Sequence, residues 1–348
     1  MYTLIETIQE KDINSDISRS IIKKAAEILK SGGLVVIPTE TVYGLGGNGL
    51  DADAAKKIYA AKGRPSDNPL IIHISDPEDA EKYCITNEYY YKLAKAFMPG
   101  PLTVILPKKD IVPDSVTGGL DTVAIRCPSH AVANALIAET GFPIAAPSAN
   151  ISGRPSPTCA QFAIEDMNGK VDMIINSGDC DIGLESTIIK LEGANAILLR
   201  PGAITYDALL CVCENVEIAS SVSQALGENE RPLSPGMKYR HYAPNSPLVL
   251  INGKDDDKLA FLKKAQKKEN CAILCYDEEL SELKNINLIS IGKRDDLAQH
   301  AKVLFTALRQ ADKLGVDVIY GHLPPKHDIG LALYNRMIRA ASHTIKEV

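Results

Sequence analysis

Apolar and polar positions follow two rhythms along the chain, one helical and one extended. Ile21, Ile22, Ala25, Ile28 and Leu29 share one face of a helix predicted over 18–31, and Gly32-Gly33 stops it. LVVIP (34–38) is a short apolar run that predicts a buried strand. TETVYGLGGNG predicts a loop. Asp51 then caps a helix to about Lys62, with Gly63 past its end and Pro65 beyond. PLIIHI (69–74) predicts a strand, and helical spacing follows at 76–84 and 87–97. LTVILP and TVAIRC predict strands on either side of a Gly-containing turn. A helix is expected at 129–140, after which PIAAP leads into the loop SANISGRPSPT. VDMIIN, STIIKL and AILLRP complete a strand-rich half. Several strands adjoin one another, so a mixed sheet is expected rather than a purely parallel one.

The rhythm fades between 219 and 247, where Ser, Pro, Gly, Asn and charge dominate. It resumes as strand LVLI, helix 255–268, strands CAILCY and NLISI, helix 295–313, strand VDVIY and helix 328–344. Strands alternating with helices predict a small, parallel, Rossmann-like α/β domain. The expected organisation is a mixed-sheet α/β domain over 1–218, a linker over 219–247 and a smaller α/β domain over 248–348.

Composition agrees with this picture. A chain of 348 residues suits two domains. An apolar share of 45% and a charged share of 24% exclude a disordered chain and a membrane bundle. No apolar run approaches the roughly 18 residues of a spanning helix. The N-terminus carries acids where a signal peptide needs bases, so a cytoplasmic setting and no membrane partner are expected. A formal charge of −6 argues against holding long nucleic acid by counterion release. The absence of Trp and the few Phe leave little for base stacking. The eight Cys show neither Cys-x-x-Cys pairs nor zinc-site spacing, and read as small buried hydrophobes in a reducing compartment.

Gly44-Leu-Gly46-Gly-Asn-Gly49 matches G-x-G-x-x-G, but TETVY separates it from the preceding strand. The position about 20 residues on lies in a basic loop, not at an acid that could meet a ribose. G-x-S-x-G, Walker A and His-Glu-x-x-His are absent, so no covalent nucleophile and no direct protein ligand for a metal stand out. Other features share one chemistry. Lys62 and Arg64 lie two residues apart in a helix-terminating turn, where two cations suit a phosphate. Arg126 ends TVAIR and Arg200 ends AILLR, and cations at strand ends mark the crevice where α/β sheets hold ligands. Ser148, Asn150, Ser152 and Ser156 punctuate a loop that is either a plain turn or an anion-cradling nest. His73 lies inside the apolar strand LIIHI, as a core residue or as part of a site. Together they predict a concave site for an anionic ligand.

The stretches that carry these residues are PTETVYGLG (38–46), KGRPSDNPLIIHI (62–74), PGPLTVIL (99–106), TVAIRCP (122–128), APSANISGRPSPT (146–158), ESTIIKL (185–191), LRPGAI (199–204) and SPGMKYRHYAP (234–244). In this order they resemble the L-threonylcarbamoyladenylate synthases, of YrdC-type fold, in the long two-domain form. The resemblance spans most of 20–245 and is weaker over 248–348. It implies that L-threonine, bicarbonate or CO2, and ATP give threonylcarbamoyl-AMP and pyrophosphate, with Mg²⁺ on the phosphates. The product passes to proteins that modify adenosine in tRNA.

By matched position, the resemblance implies a threonine site of Thr41, His73, Arg126, Ser186 and the backbone of Ala146. Many relatives carry Thr or Ser at that last position. It implies an ATP site of Lys62, Arg64, Asn68, Thr122, Ser148, Asn150, Ser156, Arg200, Tyr239 and His241. In the linker, Tyr239 and His241 alternate with Lys238, Arg240 and Tyr242, and are expected to face the nucleotide as a lid. An RNA-binding module without turnover is the competing reading, and the acidic charge counts against it.

Overall fold

The computed structural model describes residues 2–224, 233, 242–284 and 286–348. Two units divide the chain. One comprises Met1–Ser152, Ser156–Asp181 and Glu185–Lys238; the other comprises Gly153–Pro155, Ile182–Leu184 and Tyr239–Val348.

In the first unit Ser15 accepts from Ser18 N at 3.2 Å and starts the helix Asp16–Lys30. Its Ile22, Ala25, Ala26 and Leu29 share a core cluster with Val132, Leu136 and Ile137 of the helix Ala131–Thr140. Truncating one buried leucine in such a cluster costs about 2–5 kcal/mol. The helix Ala52–Lys62 is capped by Asp51, which accepts from Asp53 N at 2.8 Å, and ended by Gly63 at φ +60°. That left-handed turn at Gly63 places Arg64 two residues after Lys62.

The strands of this unit are β1 (Leu4–Thr7), β2 (Val35–Ile37), β3 (Gly44–Asn48), β4 (Ile71–His73), β5 (Leu102–Pro107), β6 (Thr122–Arg126), β7 (Ile144–Ala145), β8 (Met173–Asn176), β9 (Thr187–Glu192), β10 (Asn195–Arg200) and β11 (Asn215–Ile218). Among the described residues they form one sheet in the order β1-β8-β2-β3-β7-β4-β6-β5-β9-β10-β11. The sheet is mixed as expected: β4 runs parallel to β6, while β5 is antiparallel to β6 and β10 to β9.

The second unit holds β12 (Leu248–Asn252), β13 (Cys271–Cys275), β14 (Leu288–Ser290), β15 (Val318–His322) and β16 (Ile345–Glu347), all parallel, in the order β14-β13-β15-β12-β16. Ile251, Leu262, Ile273, Cys275 and Tyr320 lie in its core. Within this unit Arg309 Nε and Nη2 both donate to Pro155 O, at 3.1 and 2.6 Å.

Three local expectations differ from what is found. The glycine run at 44–48 is strand β3, not loop. A Cβ on Gly46 would lie 2.9 Å from Ile144 Cγ2 and 3.0 Å from Val35 O, so close strand packing accounts for that glycine without a dinucleotide. Residues Pro77–Lys82 form a 3₁₀ turn where a helix over 76–84 was expected. The last helix is Gly330–Ala340 rather than 328–344, because Ser342 and His343 take φ of +49° and +62° and turn the chain into β16. Among the described residues, which include all eight cysteines, none forms a disulfide; six are buried, Cys159 is half-buried and Cys211 exposed. Among the described residues no helix is long and apolar enough to cross a membrane.

Candidate active site

Strands β4 and β6 carry candidate residues at both ends. Ile71 pairs with Ala124 and His73 with Arg126. Two residues before Ile71 is Pro69, and two before Ala124 is Thr122, which is half-buried. The span from Thr122 to Arg126 is four residues, about 13 Å of strand.

At the earlier end, the turn after Gly63 brings in the cations. Arg64 Nη2 donates to Asn68 O at 3.2 Å and to Pro69 O at 3.0 Å. Asn68 is buried and its Oδ1 has no hydrogen-bond partner. Lys62 is buried too. Its Nζ donates to Ser148 O, to Asn150 O at 2.6 Å and to Asn150 Oδ1 at 3.4 Å. Ser148 Oγ meets Asn150 Oδ1 at 2.5 Å. The loop after β7 is therefore fastened to the helix end that bears Lys62. Ala146 N donates to Ile71 O at 2.9 Å and sits between the two ends. A little apart in the chain, the Ser156 hydroxyl donates to Glu185 Oε1 at 2.5 Å, both side chains being buried.

At the later end His73, Arg126 and Glu40 come together. Glu40 lies in the loop after β2, and its Oε2 is 2.9 Å from Arg126 Nη2. Burial acts to raise the Glu40 pKa, but the Arg126 guanidinium and the N–H of Ser129 outweigh it and hold the carboxyl below its ordinary value. Burial, reinforced by the Arg126 charge, pushes His73 down to about 3. Its Nδ1 faces Ile71 O at 3.2 Å and must donate to it, which leaves Nε2 as an acceptor. Thr39 Oγ1 spends its hydrogen on Val42 O at 2.7 Å and so accepts from Thr41 Oγ1 at 2.9 Å. Thr103 pairs with Arg126 in register, and its Oγ1 is 2.7 Å from Ser186 Oγ. Arg200 Nε donates to Ser186 O at 3.0 Å and Nη2 to Ser186 Oγ at 3.1 Å.

The structure thus joins Arg200, expected with the nucleotide, to Ser186, expected with the amino acid. Tyr239, His241 and the lid expected around them lie outside the described residues. Among the described residues no three His, Cys, Asp or Glu side chains group as metal ligands.

The sequence as a whole has close relatives. The family model described as "Telomere recombination" matches residues 27–202. A second model, threonylcarbamoyl-AMP synthase C-terminal domain, matches 204–342. The threonylcarbamoyl-AMP synthase of Pyrococcus abyssi is 43% identical over 337 residues, which cover 94% of this chain and 96% of that protein. The chain belongs to the threonylcarbamoyl-AMP synthases. The Bacillus subtilis member of the family is also 43% identical, over 92% of each chain. A crystal structure of a P. abyssi protein complexed with L-threonine matches at a TM-score of 0.88 and 40% identity, covering 100% of this chain and 99% of that one. The resemblance in the motifs therefore holds, as do the two-domain α/β fold and a nucleotidyltransferase-type activity, threonylcarbamoyl-AMP synthesis.

Three residues of the arrangement went unread in the sequence. Glu40, Glu185 and Thr103 each lie inside a matched motif, and the signal for the two acids was a lone carboxylate in an otherwise buried stretch.

Proposed function

We propose that ATP and L-threonine bind toward opposite ends of β4 and β6, and that they react beside Arg200 and Ser186. The separation of two buried arginines along one strand pair carries this reading: Arg64 bonds to the carbonyls of 68 and 69, and Arg126 lies at the other end. Lys62 and Arg64 supply charge for phosphates, and Ser148, Asn150 and Ser156 supply hydroxyl and amide groups. Asn68 Oδ1 is a buried acceptor ready for an N–H or O–H of the nucleotide. Thr122 belongs to the same end. Arg126 takes the threonine carboxylate, with Thr41, His73, Ser186 and the backbone of Ala146 around the rest of the amino acid.

Threonine's amine must be neutral to take up CO2, whether supplied directly or from bicarbonate. The resulting carbamate oxygen attacks the α-phosphate in line, and pyrophosphate leaves. Catalysis is positioning and charge stabilisation, with no covalent protein intermediate. Mg²⁺ neutralises phosphate charge when bound; the oxygen donors Ser148, Asn150, Ser156 and Glu185 fit so hard a cation, which keeps most of its ligands as phosphate oxygens and water. The reading takes 1–218 as the synthase domain, 219–247 as a linker and lid bearing Tyr239 and His241, and 248–348 as the domain that anchors it. The setting is cytoplasmic, and the recipients of the product are tRNA-modifying proteins.

Pyrophosphate release from ATP by the pure protein tests this. Release is expected only with both threonine and bicarbonate. Equal release with serine, or with no amino acid, overturns the threonine assignment. Serine lacks only a methyl group, and an apolar wall can reject it by no more than about 1–3 kcal/mol.

A further inference from the structure

The contact between Glu40 and Arg126 is not the usual form of a buried ion pair. Both side chains are more than nine-tenths buried, and Nη2 lies 2.9 Å from Oε2. Yet the two atoms meet as charges and not through a well-formed hydrogen bond. Glu40 Oε1 is occupied, accepting from Ser129 N at 3.2 Å. Glu40 Oε2, Arg126 Nε and Arg126 Nη2 are all buried without a hydrogen-bond partner. Buried charged atoms left in that state are costly, and a ligand that completes their bonds removes the cost.

What these atoms require differs in kind. Nε and Nη2 form the edge of a guanidinium that grips a carboxylate with two parallel bonds. Oε2 requires a donor. The acceptor and the donor edge lie within one hydrogen-bond length of each other. A ligand that fits both carries an anionic acceptor and a cationic or neutral N–H donor on adjacent carbons. An α-amino acid has that form. His73 beside them is uncharged and so adds no positive charge to repel an ammonium there.

We propose that Glu40 binds the α-amino group of the amino-acid substrate while Arg126 binds its α-carboxylate, so that Glu40 selects α-amino acids over 2-hydroxy acids. The proposal rests on the assignment of the β4–β6 end bearing Arg126 to the amino acid. Oε2 accepts from the α-ammonium of the bound amino acid and so fixes the position of its nitrogen at the binding step. The neighbouring Arg126 charge keeps Glu40 ionised and thus an acceptor throughout.

The test is calorimetric binding to the full-length protein, with L-threonine and with 2,3-dihydroxybutanoate of matched stereochemistry as probes. The wild-type protein is expected to bind threonine about 10- to 100-fold more tightly than the hydroxy acid. In Glu40→Gln that preference is lost, because threonine weakens and the hydroxy acid does not. If the variant weakens both probes equally, Glu40 only props Arg126 and the proposal is overturned. It is also overturned if the variant keeps the full preference, or if the wild-type protein has none. Wild-type protein that binds neither probe overturns the amino-acid site itself. Glu40→Asp keeps the charge beside Arg126 and serves if Glu40→Gln does not fold. It is expected to weaken threonine and leave the hydroxy acid unchanged, and an equal effect on both again rejects the idea.

Discussion

Arg64 and Arg126 are both buried cations, but their surroundings differ. Arg64 is held by two carbonyls, and Arg126 faces a carboxylate and a neutral histidine. Arg64→Ala is expected to raise the KM for ATP and Arg126→Ala that for threonine, each by roughly 10- to 150-fold. Steady-state kinetics with each substrate varied in turn will check this; a threonine effect from both variants would show the sorting to be wrong. His73 adds a dependence on pH. Its folded pKa of about 3 lies below the ordinary histidine value of 6.5, so the unfolded chain binds the extra proton first. Stability is complete above about pH 6.5 and falls as the pH drops toward 3. The lowered Glu40 pKa acts in the same direction, but only below the ordinary glutamate value of 4.5. Melting temperatures from pH 7 to 4.5 should therefore fall less steeply in His73→Asn than in the wild type, and parallel curves would contradict this account. The cations were legible in the sequence because Arg126 and Arg200 end apolar strand runs, while Lys62 and Arg64 crowd a helix-terminating turn. Glu40 was not, because its partner lies 86 positions away in sequence and TETVY gives no sign of that pairing.

Elements were legible where side chains carry a rhythm. LVVIP, PLIIHI, LTVILP and TVAIRC became β2, β4, β5 and β6 because short, predominantly apolar runs require a sheet to bury them. β3 escaped detection because Gly44, Gly46 and Gly47 have no side chains to alternate. β1, β11 and β16 are three or four residues long with half or more of their positions polar, too short for a period to register. Missing side chains can also be the point of an element. A Cβ on Gly202 would lie 2.6 Å from Thr187 N, in the turn that follows Arg200. Gly202→Ala is expected to cost about 1–3 kcal/mol in stability and to displace Arg200 from Ser186. Gly46→Ala, crowded by Ile144 and Val35, is expected to cost a similar amount of stability with less effect on turnover. Urea unfolding alongside pyrophosphate release separates the two; equal activity losses would place Gly202 among ordinary packing glycines.

At the scale of the whole molecule, the two units are not two consecutive lengths of chain. The second unit takes in Gly153–Pro155 and Ile182–Leu184, which flank Ser156 and Glu185 in sequence. Truncation after Gly227 removes Arg309 and with it both donors to Pro155 O. The truncated protein is expected to unfold cooperatively, since the core around Leu29 and Leu136 lies wholly within 1–227, but to lose most synthase activity. Circular dichroism melts and the pyrophosphate assay will check both halves of that statement, and normal turnover would show that 153–155 and 182–184 need nothing from the rest of their unit. The same interleaving bears on how the protein is made. A ribosome delivers Pro155 well before its donor, which lies 154 positions later. At about 5–20 residues per second, that bond must wait roughly 8–30 seconds after the carbonyl is synthesised. The nascent chain therefore emerges with its principal sheet buildable and two loops still provisional. A translational pause between codons 227 and 309 would lengthen that interval without altering a single residue.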